Sequence, residues 1–164
     1  MGNAILYHMQ AGIPGDITRA EFSKVEANMI DPAYPPLLFG IPIKLVSGLV
    51  RPVAGGETTA DIYGLLVRPY PYNGVAGAGA ALGAGIPPAS GPCDVMRSGH
   101  MAVKLARGTA VKGASVYVRI TAGVGAVGDI EDTADSGKCI AFGTFMGPVD
   151  ALRSDSIVEI AFKV

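Results

Sequence analysis

One short segment has the residue types and spacing of a phosphate-binding loop. Gly123–Gly128 matches the G-x-G-x-x-G pattern and follows a predicted strand. A dinucleotide site also needs a helix whose N-terminal amides face the pyrophosphate, but here carboxylates follow at once and would repel it. These carboxylates belong to Asp129, Glu131, Asp132 and Asp135. The pattern therefore predicts a hairpin tip in which glycine serves a tight turn, and not a nucleotide site.

The same acidic run could suggest calcium, whose ligands often come from closely spaced carboxylates. The order of ligands, glycine and terminal glutamate in an EF-hand loop is missing, so we expect a solvated turn. His8 and His100 are the only histidines, and neither lies near a second histidine or a cysteine pair. The spacing thus predicts no zinc site, and we expect no metal and no cofactor.

No residue is nominated as a nucleophile. No serine lies in a G-x-S-x-G elbow, and neither Cys93 nor Cys139 has a histidine or a basic cluster beside it in the sequence. We expect two separate, reduced cysteines. A small hydrolase with a site assembled from dispersed Asp and Glu residues stays an alternative, because spatial neighbours can be far apart in the chain. The expected function is nevertheless not enzymatic.

The composition indicates a protein that associates. Only 16% of the 164 residues are charged, against about 25% in an ordinary soluble domain, and the mean hydropathy is +0.39. So few charges cannot cover the surface, and apolar groups must lie outside or contact a partner. We expect a homo-oligomer, a dimer or a trimer. The net charge of −1 disfavours nucleic-acid binding, which usually needs a basic face.

A long uncharged stretch separates Arg68 from Asp94. Five prolines and many glycines interrupt it, so it predicts a surface loop and no membrane span. Residues 73–91 are mostly glycine and alanine, too small to repay their ordering entropy without outside contacts. The larger side chains flanking this Gly/Ala-rich loop are predicted to contact a partner. They are Tyr70, Tyr72 and Ile86.

Period-2 alternation of apolar residues predicts the strands. It is clearest at residues 158–164, 116–121 and 100–105, and apolar runs at 43–46, 62–67 and 140–146 have the length of buried strands. Helix signals are thin, with one short helix expected over 148–154. The pattern predicts an all-β fold, a single antiparallel barrel-like or jelly-roll domain over residues 16–164.

An N-terminal arm is predicted over residues 1–15, outside the alternating strands and ending in a turn at Gly12–Gly15. Its exposed apolar residues Ile5, Leu6 and Tyr7 are predicted to contact another chain. The chain opens without an apolar signal segment, so we expect synthesis in the cytoplasm.

The order of these features resembles the phage head decoration proteins known as structural cement proteins of the Gp24-like group. The resemblance rests on turn-and-strand patterns along most of the chain, and its most specific part is the stretch ending in Val116-Tyr117-Val118-Arg119. The matching segments are Gly40–Ile43, Asp61–Arg68, Gly85–Pro88, Asp94–Val103 and Ala110–Arg119.

The resemblance implies a non-enzymatic protein on the outer surface of an icosahedral virion, whose partner is the major capsid protein. Such a protein binds across junctions between capsid subunits and staples them together. An alternative is an adhesion or glycan-binding module displayed on a virion, because exposed tyrosines can stack on sugars.

Overall fold

The computed structural model describes residues 12–69, 85–149 and 156–164, and these residues form nine β-strands with no α-helix. A short 3₁₀ turn, Thr59–Asp61, precedes the fourth strand. The strands are β1 (Ile17–Ile30), β2 (Pro42–Val46), β3 (Leu49–Pro52), β4 (Gly64–Leu66), β5 (Gly91–Arg107), β6 (Ser115–Arg119), β7 (Ile130–Glu131), β8 (Cys139–Phe145) and β9 (Ile157–Lys163). The all-β prediction is confirmed.

The nine strands form one sheet that closes on itself twice. The order is β1-β3-β2-β4-β5-β7-β6-β8-β9, and β5 pairs additionally with β1 and with β9. Two five-membered rings result: β1, β3, β2, β4 and β5 make the first, and β5, β7, β6, β8 and β9 make the second. The pairs β1–β3 and β5–β7 are parallel, while the other pairs are antiparallel. The architecture agrees with a barrel-like body.

Strand β5 belongs to both rings. Its 17 residues are long enough for the first half to pair with β1 and β4, and the second half with β9 and β7. Met96 lies opposite Val25 of β1 on one side and Leu65 of β4 on the other. Met101 lies opposite Ile160 of β9. Both methionines are fully buried, so β5 forms the wall between the two halves.

The main hydrophobic core is continuous across the two rings. It joins Leu65 and Met96 of the first ring to Val116, Phe145 and Ile160 of the second. A smaller core lies inside the first ring and contains Phe39, Ile43, Val50, Leu66 and Val95. The alternation predicted for β5 and β9 holds only in part, because Ala102 and Ile157 on the predicted outer faces are also fully buried. The apolar side chains on the predicted inner faces of the two strands are buried. These are Met101, Val103, Leu105, Val158, Ile160 and Phe162.

Strands β1, β3 and β7 and the first half of β5 were not predicted from the sequence. Strand β1 shows no clean alternation because a bulge interrupts its pairing with β5 between Arg19 and Lys24. Strand β4 is shorter than the predicted 62–67. The helix expected over 148–154 falls mainly outside the described residues, as do residues 1–11 of the arm.

The chain just before β1 is packed on the body. The Gly15 amide donates to the Ala102 carbonyl at 2.8 Å, and the Arg68 amide donates to the Gly15 carbonyl at 2.9 Å. Gly15 has a φ of +91°, and a Cβ there would lie 2.7 Å from the Cβ of Phe39, so only glycine fits. No helix in the described part of the chain is long and apolar enough to cross a membrane.

Candidate partner-binding surface

Exposed apolar side chains concentrate in one stretch of sequence. Six of the nine large hydrophobic residues that are exposed in the described ranges lie between positions 22 and 38. The six are Phe22, Val25, Met29, Tyr34, Leu37 and Leu38, and we call them the 22–38 surface. Scattered exposed apolar residues are normal, so six of them within 17 residues of sequence make this stretch a candidate binding surface.

Strand β1 presents a stripe of this surface on its outer face. Val25, Ala27 and Met29 alternate along a stretch of regular pairing with β5, so they point to the same side. Met29 lies beside Leu49 of β3 on that outer side, while their neighbours Ile30 and Val50 pair inward and are buried. The alternation of β1 is therefore real, and its apolar side chains lie on the more exposed of its two faces.

Phe22 is presented by the bulge. The bulged residues oppose Gly99 of β5, where a Cβ would lie 3.0 Å from the Phe22 carbonyl oxygen. Gly99 has a φ of +135°, a conformation open to glycine, which permits this close approach. The Phe22 ring stands edge-on to His100 with 6.3 Å between ring centroids, and 66% of the residue stays exposed. Bulges commonly re-aim a side chain in this way.

The loop after β1 is held by Asp31. Its carboxylate accepts hydrogen bonds from the Ala33 amide at 2.8 Å and from Arg51 Nε at 2.6 Å. The Ala33 amide contributes most to a lowered Asp31 pKa; burial opposes that shift and Arg51 adds to it. The Arg51 guanidinium lies 4.3 Å from the centre of the Tyr34 ring, which fixes that ring beside β3.

The charges beside the stripe are paired. Glu26 accepts a hydrogen bond from the Tyr63 hydroxyl and lies 3.4 Å from both Lys24 and Arg97. The Tyr63 hydroxyl is the main cause of a lowered Glu26 pKa. Arg97 lies 3.8 Å from the centre of the Tyr63 ring and covers one of its faces. Tyr63 is therefore engaged and does not offer a free platform for stacking a sugar.

Of the residues predicted to contact a partner, only Ile86 lies in the described ranges, where it is 50% exposed. Ile5, Leu6, Tyr7, Tyr70 and Tyr72 lie outside them. The 22–38 surface was missed by the sequence analysis. The uninterrupted absence of proline and glycine over Ile17–Ile30 could have signalled a strand, but only the fold shows which face is left uncovered.

The acidic run is not the solvated turn that was expected, since Glu131 is only 1% exposed. Its carboxylate pairs with the fully buried Arg119 through bonds of 2.5 and 2.8 Å. The period-2 alternation over residues 116–121 sets Arg119 opposite Val116 and Val118 and so predicts an outward-facing side chain. That expectation is also wrong, because Arg119 is fully buried. Residues after β6 fold back over the strand end, which brings Gly125 within reach of the Arg119 and Glu131 side chains.

The glycine-rich segment lies in the loop between β6 and β7. The Ala126 amide donates to Asp129 Oδ2 at 2.7 Å, so an aspartate closes the turn. The strand β7 follows Gly128 at once. A helix N-terminus therefore does not follow the glycines, in agreement with the predicted hairpin tip.

The described residues offer little chemistry beyond this. No group of three or more His, Cys, Asp or Glu side chains within the described ranges is arranged to hold a metal ion. Cys93 and Cys139 are free thiols, as predicted. Burial raises the pKa of Cys93 to about 11, the reverse of what a nucleophile needs.

Two comparisons with known proteins agree with this reading. Residues 2–163 match the family described as structural cement protein (E217 gp24/Pam3 gp6). The chain belongs to the structural cement protein family. Its fold also matches a chain in the solved capsid of Myoviridae phage XM1, with a TM-score of 0.63 and 18% sequence identity over 99% of this cement protein and 97% of that chain. No curated protein sequence matches it.

Family membership confirms the predicted class of function. The chain is a phage cement protein, a structural component of the virion that decorates and stabilises the capsid. The resemblance stated from the sequence is thereby confirmed, and the family indicates a structural role.

Proposed function

We propose that this cement protein binds the outer surface of the phage head through the 22–38 surface and staples neighbouring major capsid subunits together. The role is mechanical and requires no reaction. The observation that carries the proposal is the concentration of six exposed apolar side chains in 17 residues of a chain that is otherwise well packed.

The composition of the 22–38 surface suits a protein interface. Phe22 and Tyr34 are 66% and 56% exposed, and aromatic side chains dominate the energy of most interfaces. Lys24 and Glu26 lie 3.4 Å apart, and Asp31 pairs with Arg51. Partner binding therefore leaves none of these four charged side chains without a partner of opposite charge.

The same surface is ordered before binding. Asp31 and Arg51 fix the start of the loop, and the β1 stripe belongs to a hydrogen-bonded sheet. A surface held in its bound shape loses less conformational entropy on association, which raises affinity without additional contacts.

Self-association strengthens attachment in this proposal. A dimer or trimer engages several capsid sites at once, and each later contact becomes effectively intramolecular. Ile5, Leu6 and Tyr7 of the arm, together with Tyr70, Tyr72 and Ile86, are proposed as a second set of contacts with the shell or with another copy.

The test compares two lysine substitutions at equally exposed positions. Leu37 is 75% exposed within the 22–38 surface, and Val124 is 70% exposed on the loop of the second ring. We expect Leu37→Lys to weaken binding to heads lacking the cement protein by about tenfold, since it places a charge in the interface. Val124→Lys should bind like the unaltered protein.

Binding is measured by co-sedimentation with heads, and head stability by the temperature at which DNA is released. Equal binding of both variants would place the interface elsewhere on the molecule. Failure of the unaltered protein to bind or stabilise heads would refute the proposed function.

A further inference from the structure

Within the described residues, one edge of β1 has no pairing strand over part of its length. Strand β5 pairs with one edge on both sides of the bulge, whereas β3 covers the other edge only at Met29 and Ile30. Before Met29, no described residue pairs with that second edge. Open edges present unpaired backbone N–H and C=O groups, which proteins normally cover or disrupt.

The hydrogen bonds show which residues point to the open edge. The Asp31 amide donates to the Val50 carbonyl of β3 at 3.0 Å, so the backbone of residue 31 faces β3. Backbone groups alternate along a strand, and pairing is regular from Val25 to Ile30. Met29, Ala27 and Val25 therefore also face away from β5.

Strand β5 gives the same assignment independently. The Asp94 carbonyl, opposite Ala27, accepts from the Val67 amide at 2.9 Å and thus faces away from β1. Asp94 and Ala27 are accordingly a pair that exchanges no hydrogen bonds, while the neighbouring Glu26 and Val95 face each other. Val25 and Ala27 therefore each direct one N–H and one C=O to an edge where no described residue pairs with them.

The usual protections of an edge are weak here. Strand β1 contains neither proline nor glycine, and its bulge ends before Val25. Arg19 lies on the far side of the bulge, and its guanidinium forms a salt bridge with Glu159 at 2.9 Å. Glu26 lies within the open stretch and Lys24 directly before it, and these two opposite charges lie 3.4 Å apart.

We propose that an extended segment of a major capsid subunit adds to β1 as a strand along Val25–Asn28, in line with β3. This inference rests on the proposed function and specifies how the partner is recognised. The incoming backbone binds the N–H and C=O groups of Val25 and Ala27, a mode known as strand addition.

The open edge of β1 is continuous with the apolar stripe on its outer face, and this continuity points to the same partner for both. The open edge runs beside the stripe of Val25, Ala27 and Met29, so a strand on this edge extends the surface proposed to face the shell. The added segment therefore carries apolar side chains at alternate positions on that face.

Proline at position 27 tests the backbone contact. Ala27→Pro removes an N–H that faces away from β5, and proline is tolerated in edge strands when that N–H faces solvent. We expect about tenfold weaker binding to heads lacking the protein, with the fold retained by circular dichroism. Ala27→Ser, which keeps the N–H, is the matched control and should bind normally.

Hydrogen exchange of the unaltered protein provides a second test, which does not depend on whether a substituted protein folds. In the free protein, the amides of Val25 and Ala27 should exchange fast and those of Glu26 and Asn28 slowly. On the head, Val25 and Ala27 should become protected. Unchanged exchange at both positions, or equal binding of Ala27→Pro and Ala27→Ser, overturns the strand addition.

A photo-crosslinking residue at position 27 identifies the occupant. An adduct with the major capsid protein supports the proposal, whereas an adduct with residues 1–11 or with another copy of this chain overturns it. If Leu37→Lys still weakens binding in that case, the 22–38 surface remains the docking surface and only the inference about the edge fails. If no protein binds the head, the proposed function fails instead.

Discussion

At the level of single residues, the most constrained side chain is Arg119. It is fully buried, binds Glu131 through two hydrogen bonds and reaches Asp135 at 3.3 Å. A buried pair contributes little net stability against an apolar replacement, but removal of one partner leaves an uncompensated buried charge. The cost of breaking this pair should therefore be large.

We expect Glu131→Gln to lower the free energy of unfolding by about 3 kcal/mol, as measured by urea denaturation. Asp135→Asn is the control, because the Asp135 side chain is 33% exposed and its bond to Arg119 is long. Its cost should stay below about 1 kcal/mol. A Glu131→Gln variant no less stable than Asp135→Asn would show that the guanidinium is satisfied without Glu131.

This pair also marks a limit of sequence reasoning. Alternation along β6 put Arg119 with Tyr117 on the outer face, and the carboxylates after Gly128 looked like a solvated turn. Period-2 patterns assume that one face of a strand meets water. At the end of β6 both faces are covered, and only the path of the loop back to β7 reveals it.

At the level of elements, β4 approaches β5 so closely that one position must be glycine. A Cβ on Gly64 would overlap the carbonyl oxygen of Met96. Gly64 has no positive φ, so its requirement is space and not backbone conformation. The approach brings Leu65 and Leu66 into the two cores.

A matched pair of alanine substitutions tests this approach. Gly64→Ala should destabilise the protein by about 2–3 kcal/mol, because the backbone of β5 must shift. Gly123 also lacks a positive φ, and a Cβ there meets nothing within 4 Å. Gly123→Ala should be neutral or slightly stabilising by restricting the unfolded chain. Thermal unfolding of the two variants measures the difference, and equal melting temperatures would contradict the argument.

The elements were predictable to different degrees for physical reasons. Strands β6, β8 and β9 are predictable from the sequence because each contributes apolar side chains to the main core. Strand β1 does not, because its bulge changes the register and its regular part carries apolar residues on the exposed face. The exposed apolar residues of β1 thus have two effects. They make the strand hard to predict from the sequence, and they make its outer face a candidate interface.

At the level of the whole molecule, the low content of charged residues accounts for the exposed apolar side chains. The composition predicted that apolar groups would remain outside, and the fold places most of the large ones that it describes in a single stretch of the first ring. The second ring supplies much of the main core and only Val111 and Val124 to that exposed set. Binding and stability are therefore divided unequally between two rings that share a strand.

Because β5 belongs to both rings and the main core crosses it, the rings should unfold together. Val50 of the first ring and Val116 of the second are both fully buried, and the substitutions Val50→Ala and Val116→Ala each remove buried methyl groups from one ring. Each substitution should cost about 2 kcal/mol and shift one common transition. In calorimetry, the measured enthalpy should equal the van't Hoff enthalpy for both variants. A separate transition that moves only with Val116→Ala would show that the second ring is an independent unit and that β5 does not couple the two.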